Sequence, residues 1–343
     1  MKIIIFSILV CLSASAFSQT NADAEQETAR SISFDGFMKT RFETSTERDA
    51  MRFNVRHARV GVRGDINEFL SLRMMAEMVI GDRFTVHDMF ATLRPTRNFS
   101  VIFGQQLIPF DNGYIISPAD QMFANVAFLG TYFNLGGVRD IGIGAQYRFS
   151  IGDLPMEGQA GLFNGGRINQ PQWTDKPSLA FRLIAGSMEG FRSTAKIYRY
   201  QGAMLDLDLL LWGVDFRYSV GNLIVETEIM NRHSYTFDND LFGAYIQGLY
   251  TFPIPNSRIF PSLTPALRWD AMGYDGLNFD VQRITAGIQF GLMPGLPFHS
   301  LIRIDYEHHI FRNKNIPFPD FVAPGRDSLV ADNKLTVEWI VRF

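Results

Sequence analysis

The last nine residues of the chain decide the fold: Leu335-Thr336-Val337-Glu338-Trp339-Ile340-Val341-Arg342-Phe343. Every second position is apolar, and the residues between are mostly polar. Because successive side chains of a β-strand point to opposite faces, this segment is predicted to be a strand with one apolar face. The same alternation recurs in residues 70–80, 140–149 and 302–307. The chain is therefore predicted to be built from strands.

Composition limits the class of protein further. Hydrophobic residues make up 46% of the 343 residues and aromatic residues 13%, which excludes a disordered chain. No run of 18 apolar residues occurs, so a helical membrane protein is excluded. The net charge of −3 gives no reason to expect nucleic acid as a partner. A soluble β-sandwich, with the apolar faces inside, and a transmembrane β-barrel, with the apolar faces in lipid, both remain.

The number and length of the alternating segments favour the barrel. Most are about 9–13 residues long, close to the roughly 9–11 that a tilted strand needs to cross a membrane. We predict an all-β fold, a transmembrane antiparallel β-barrel of about 16 strands, with 14 or 18 as alternatives and a bulge near Arg56. The predicted strands are 32–43, 52–64, 69–80, 84–94, 99–106, 140–150, 156–164, 178–186, 190–200, 206–218, 221–231, 241–252, 258–270, 281–291, 298–309 and 333–343.

The start of the chain predicts export. Lys2 is followed by a mostly apolar stretch to Leu12 and then by small residues up to Ser18, which is the pattern of a cleaved signal peptide. The only cysteine, Cys11, lies within this stretch, so we expect no disulfide in the mature chain. The predicted division is a signal peptide at 1–18, a flexible leader at 19–31 and the barrel at 32–343.

One loop is much longer than a hairpin needs. Residues 107–139 follow the fifth predicted strand, which makes this the third loop on the side where the long loops lie. Long loops in compact folds usually have a function, and its many aromatic residues favour burial in the lumen, although an external loop or one packed between subunits is the alternative. Its predicted constriction residues are Pro109, Phe110, Asp111, Tyr114, Asp120 and Arg139.

Alternation also predicts which charges face inward. Eleven acidic residues oppose twelve basic ones, so the composition does not establish anion selectivity. If Asp111 and Asp120 face the wall of Arg59, Arg63 and Arg73, the constriction has a transverse field. The alternative is that the charges neutralise one another and stabilise the wall. The predicted inward basic residues are Lys39, Arg41, Arg59, Arg63, Arg73, Arg148, Arg182, Arg217, Arg268, Arg283, Arg303 and Arg342.

Several segments of the chain resemble those of one protein family and occur in the same order. Residues 52–64 (RFNVRHARVGVRG), Gly104-Gln105-Gln106-Leu107-Ile108-Pro109-Phe110, Ser117-Pro118, Arg139-Asp140-Ile141-Gly142 and Leu162-Phe163-Asn164-Gly165 resemble the phosphate-selective porin O and P family. The resemblance covers residues 52–165. It implies a sixteen-stranded, trimeric porin that passes anions, notably phosphate. The resemblance implies lysine clusters and an inward ladder of arginines, whereas this chain has only 6 lysines beside 26 arginines, so any anion path here must be built from arginine.

No constellation for catalysis or metal binding is evident. His308 and His309 are adjacent, so on a strand they point to opposite faces and do not readily share a metal. Neither a Gly-x-Ser-x-Gly motif nor a phosphate-binding Gly-Lys-Thr loop occurs. We expect a non-enzymatic pore for passive diffusion of small hydrophilic solutes, with no cofactor. A structural or adhesive barrel without conductance and a barrel enzyme are the alternatives.

The expected location sets the expected partners. Phe343, at the end of an alternating strand, resembles the C-terminal signal that the outer-membrane barrel assembly machinery reads. With the signal peptide it predicts the outer membrane of a Gram-negative cell. The expected partners are the lipid bilayer, lipopolysaccharide, the assembly machinery and two further copies in a homotrimer.

Overall fold

A computed structural model describes residues 31–78, 84–110, 112–133, 137–202, 206–274, 276–312 and 333–343. Residues Ser31–Phe343 form one compact unit. The predicted signal peptide, and the predicted leader up to residue 30, lie outside the described residues, and Ser31 already belongs to the first strand.

Strands dominate the described residues: sixteen long ones and the two-residue β13. β8 and β15 begin and end at the predicted residues. The bounds of most other strands differ from the predicted ones by one to three residues. The strands are β1 (Ser31–Ser45), β2 (Ala50–Asp65), β3 (Leu70–Glu77), β4 (Thr85–Leu93), β5 (Phe99–Leu107), β6 (Arg139–Ile151), β7 (Leu154–Phe163), β8 (Ser178–Gly186), β9 (Gly190–Gly202), β10 (Leu207–Val220), β11 (Leu223–Ser234), β12 (Asn239–Tyr250), β13 (Phe252–Pro253), β14 (Ser262–Gly273), β15 (Val281–Gly291), β16 (Leu301–Phe311) and β17 (Lys334–Arg342).

The sheet closes on itself. Each long strand pairs antiparallel with its neighbours in sequence, and β13 only extends the start of β14. β17 returns to β1 in a continuous register from Phe37 opposite Arg342 to Ser45 opposite Lys334. Closure leaves no unpaired edge along the barrel. The predicted antiparallel barrel of sixteen strands is confirmed.

The alternation in the sequence explains the two faces of the wall. On β16, the outward Tyr306 is 43% exposed whereas the inward Arg303 is fully buried. On β17, the outward Trp339 and the inward Glu338 differ in the same way. Apolar side chains therefore cover the outside of the barrel, and many of the charged ones lie inside.

Two β-bulges interrupt the alternation of the described strands, one on β2 and one on β4. Lys39 pairs with His57 and Thr40 with Val55, so Arg56 is the extra residue of β2, and the predicted bulge there is confirmed. A second register shift leaves His87 as the extra residue of β4. This second bulge was not predicted, because only Thr85 and Val86 of β4 precede it and two residues show no clear alternation.

The tight turn between β6 and β7 and the long connection between β5 and β6 lie at opposite ends of the barrel. β6 and β7 are joined by Gly152 and Asp153 alone, and Gly152 has a φ of 59° that favours glycine. Residues 108–138 connect β5 and β6 at the opposite end. The described residues of this connection include two short helices, α1 (Asn112–Ile115) and α2 (Phe128–Tyr132). Among the described residues, none of the helices has the length and apolar character needed to cross a membrane.

Candidate functional site

The inner wall has a large apolar surface near the long-loop end. Tyr198 on β9, Leu209 and Leu211 on β10 and Met230 on β11 point inward and are essentially inaccessible to solvent. Aromatic and aliphatic side chains of the loop 108–138 cover them and form one buried cluster with them. These loop residues are Ile108, Phe110, Ala127, Phe128, Leu129 and Phe133.

This apolar inner surface was missed by the sequence analysis, although the sequence carries a signal for it. Residues 207–212 read Leu-Asp-Leu-Leu-Leu-Trp, so both faces of β10 are apolar at this point. The outward Trp212 is 46% exposed, whereas Leu211 is fully buried. An inward apolar surface in a barrel needs a cover, because contact with water would be unfavourable. The loop supplies that cover.

Arginines of β14 and β15 bind the backbone of the same loop. The Nη2 atom of Arg283 donates to the carbonyl oxygen of Val126 at 2.8 Å. The Nη1 atom of Arg268 donates to Asn125 O at 2.9 Å. In the reverse direction, Asp270 accepts a hydrogen bond from the backbone nitrogen of Phe128 at 2.8 Å. Charge-assisted hydrogen bonds of this kind are stronger than neutral ones, so the described part of the loop is held against the wall on two sides.

Five of the eleven predicted inward arginines therefore lie buried beneath the loop, and a sixth, Arg342, pairs with Asp120 of the loop. Arg182 is 3% exposed and donates to Asn112 Oδ1 at 2.7 Å. The other four, Arg41, Arg268, Arg283 and Arg303, are at most 6% exposed. They point inward, as predicted, but they face the loop and nearby carboxylates instead of open space. Sequence alternation gives the direction of a side chain and not what covers it.

The other five arginines lie on parts of the wall for which no contact with the loop is observed. Four of them have a carboxylate partner, and Arg63 is exposed and forms no ion pair with a described residue. The pairs are Arg59 with Glu77 at 2.8 Å, Arg148 with Glu157 at 2.9 Å, Arg73 with Asp35, and Arg217 with Glu226.

The predicted constriction residues do not form one group: some are buried in the loop, and others form ion pairs with different strands. Phe110 is fully buried, and Pro109 is half-buried beside it. Asp120 pairs with Arg342 on β17 at 2.5 Å, and so not with the arginines of β2 and β3. Arg139 pairs with Asp88 on β4 at 2.7 Å. Asp111 and the side chain of Tyr114 lie outside the described residues.

Between the ion pairs Arg139–Asp88 and Arg148–Glu157, the wall at β4–β7 has uncharged inward side chains. Phe103 on β5 and Tyr147 on β6 point outward and are exposed. By alternation, their neighbours face the lumen, where they are half-buried. These inward residues include Phe90, Ser100, Ile102, Gln146 and Gln159. The lumen is thus bordered by amides and apolar groups on this side.

A second loop also reaches the wall. The backbone nitrogen of Asn169, in the connection 164–177, donates to Gln105 Oε1 at 2.6 Å, and Gln105 Nε2 donates to Asn169 Oδ1 at 3.2 Å. Gly166 N donates to Asp140 Oδ2 at 3.1 Å. These contacts fix the loop at the long-loop ends of β5 and β6.

Histidines offer no shared metal site within the described ranges. His308 is exposed, and His309 lies on the other face of the strand. The ring centroids of His309 and Phe128 are 6.0 Å apart. A search of the described residues for three or more nearby histidine, cysteine or acidic side chains gives no group that could hold a metal ion.

Comparison with known proteins identifies the fold. No protein-family model matches the sequence, and no curated protein matches it. Solved structures do match. OmpF of Salmonella typhi, in complex with daunomycin, has a TM-score of 0.62 at 14% identity, over 91% of this chain and 97% of that one. The anion-selective porin of Comamonas acidovorans has a TM-score of 0.60 at 10% identity, over 92% and 99%.

Two further matches are similar in extent. The outer membrane channel DcaP of Acinetobacter baumannii has a TM-score of 0.59 at 13% identity, over 94% of this chain and 100% of that one. The trimer form of OmpT, an outer membrane protein of Vibrio cholerae, has 0.61 at 11%, over 92% and 100%. At these identities the comparison establishes the fold: the chain has the barrel fold of outer-membrane porins.

Proposed function

We propose that the protein is an outer-membrane porin through which small hydrophilic solutes diffuse passively. The observation that supports this most is the closed barrel with an apolar outside and a largely polar inner wall, onto which a long loop is packed. Such a wall suits a lipid exterior and a hydrated interior. The loop 108–138 narrows the lumen, and the amide-rich wall of β4–β7 forms the other side of the passage.

A weak preference for anions, phosphate among them, is part of the proposal. It rests on the arginine wall of β2 and β3, on the resemblance to phosphate-selective porins and on the exposed guanidinium of Arg63, for which no ion pair with a described residue is observed. Guanidinium groups stay charged at every relevant pH and bind phosphate oxygens in pairs. Because Arg59 and Arg73 have acidic partners, the preference is weak and falls as salt rises.

The remaining expectations complete the proposal. The chain is exported by a cleaved signal peptide and assembled into the outer membrane through the signal ending in Phe343. It contacts lipid and lipopolysaccharide. It also forms a homotrimer, which the similarity to the trimer form of OmpT supports. It performs no enzymatic step, needs no cofactor and binds no nucleic acid.

Swelling of liposomes that contain the purified protein tests solute passage. Sugars of increasing size are added outside, and entry of the small ones with exclusion of the large ones is expected. A Ser100→Trp variant, which fills the inward face of β5, should slow entry, whereas its neighbour Val101→Trp, which points outward, should not. Absence of swelling with correctly folded protein would refute the proposal.

A further inference from the structure

The tip of the loop lies across the junction that closes the barrel. β1 and β17 pair over nine residues, from Phe37 opposite Arg342 to Ser45 opposite Lys334. Residues 118–125, here called the clasp segment, contact both of these strands and β16 from the inside. The segment belongs to a connection between β5 and β6, so these contacts are distant in sequence.

Polar contacts fix the clasp segment to the first strand. Lys39 Nζ donates to the carbonyl oxygen of Pro118 at 2.9 Å. Arg41 Nη1 donates to Asn125 Oδ1 at 3.0 Å, and its Nη2 donates to the carbonyl of Ala124. Two successive inward side chains of β1 thus bind both ends of the segment.

Matching contacts fix it to the last two strands. On β17, Arg342 Nη2 donates to Asp120 Oδ1 at 2.5 Å. On β16, Arg303 Nη1 donates to Gln121 O at 2.5 Å. Asp305 accepts a hydrogen bond from the backbone nitrogen of Ala124 at 2.6 Å. The segment therefore bridges β1 to β16 and β17.

A small apolar cluster lies at the centre of the bridge. Ala119 is 2% exposed and packs with Phe37 of β1, Leu301 of β16 and Ile340 of β17. Each of the three strands contributes one inward apolar residue, and the loop contributes the fourth. The segment is thus in apolar as well as polar contact with both sides of the junction.

Buried charges at the junction depend on the segment. Glu338 on β17 forms ion pairs with Lys39 and Arg41 on β1 and with Arg303 on β16. One carboxylate cannot accept every N–H group of three cations. The carbonyl groups of the clasp segment accept hydrogen bonds from these cations, and buried cations without acceptors are strongly unfavourable.

We propose that the clasp segment holds the first and last strands of the barrel together, a role separate from solute passage. The inward charges of β1, β16 and β17 stabilise the pairing of β1 with β17. The clasp segment supplies the remaining hydrogen-bond acceptors for these charges from inside the barrel.

Hydrogen exchange on the full-length protein, measured by mass spectrometry, tests this role. Ala119→Asp places a charge in the clasp cluster, and we expect exchange of the β1 and β17 amides to rise about tenfold or more, with β10 and β11 unchanged. Ala127→Asp is the matched control, because Ala127 is a buried residue of the same loop that belongs to the larger apolar cluster and not to the cluster around Ala119. Unchanged exchange at β1 and β17, or an equal rise around the whole barrel, would overturn the proposal.

If the Ala119→Asp variant fails to assemble, a disulfide between β1 and β17 provides a second test. Thr44 and Leu335 are opposite each other on β1 and β17, and Cys11 is the only native cysteine. Adding Thr44→Cys and Leu335→Cys should restore assembly of the variant under oxidising conditions. Failure of an oxidised junction to restore it would contradict a clasp role. Neither measurement depends on conductance, so the result is independent of the proposed pore.

Discussion

Lys39 Nζ on the first strand lies 3.1 Å from Glu338 Oε1 on the last strand, and both side chains are fully buried. The ion pair crosses the junction where the barrel closes. A buried charge contributes little net stability when paired but is costly once its partner is removed. Inward charges of this wall therefore have a structural role in addition to any effect on permeating ions.

Glu338→Gln should destabilise the barrel. The variant leaves Lys39, Arg41 and Arg303 buried without their shared carboxylate, so we expect the free energy of unfolding to fall by about 3–5 kcal/mol. Denaturant unfolding followed by circular dichroism measures it. Glu157→Gln is the control, because its partner Arg148 is 65% exposed and the loss there should be below about 1 kcal/mol. Equal losses in the two variants would contradict the structural role of Glu338.

Anion selectivity should depend on the arginines of β2 and β3. Replacing Arg59, Arg63 and Arg73 by Gln should abolish the anion preference at low salt, with Arg63→Gln alone giving the largest single change. Arg283→Gln should matter less, because Arg283 lies under the loop and pairs with Glu307 at 2.8 Å. Reversal potentials in a KCl gradient measure the preference, which should shrink as the Debye length falls to about 8 Å and below. Cation preference of the native pore would exclude this assignment.

Phe128→Ala should loosen the internal loop. Phe128 is 2% exposed, and the guanidinium of Arg283 lies 4.5 Å from its ring centroid. Truncation of a buried Phe costs about 3–5 kcal/mol, so we expect larger and noisier single-channel currents. Leu179→Ala, on the outward face and 40% exposed, serves as the control. Currents identical to the native ones in Phe128→Ala would show that the loop does not limit conduction.

Barrel assembly should depend on Phe343 and on the glycine opposite it, Gly36. Gly36 and Phe343 exchange two backbone hydrogen bonds of 3.2 Å, and a Cβ at Gly36 would overlap the Phe343 ring. Both deletion of Phe343 and Gly36→Leu should lower the yield of heat-modifiable barrel on gels. Gly64→Leu is the control, since a Cβ there meets nothing within 4 Å. A normal yield of Gly36→Leu would indicate that the ring position is unimportant.

Most of the fold could be predicted because the information is local. Alternation alone gives β8 and β15 with the observed bounds. The largest error is at β14, predicted from residue 258 but beginning at Ser262. Residues 258–261 end in Pro261 and belong to a turn, where Ile254 N donates to Pro261 O at 2.8 Å. Side-chain alternation does not mark where such a turn ends.

The site was less predictable because it depends on contacts distant in sequence. Arg283 and Arg303 point inward as their strands require, yet their hydrogen-bond partners Val126 and Gln121 lie more than 150 residues away. No local pattern specifies which wall a loop will cover. The apolar run around Leu209 was a usable signal, because an inward apolar surface requires a cover.

Single-channel recording in a planar lipid bilayer tests the central claim most directly. Purified, heat-modifiable protein should insert and give stepwise, ohmic conductance, because a barrel whose lumen is only partly filled by its loop leaves a hydrated path. Stable membrane insertion without any current steps would contradict a pore and would favour a structural barrel.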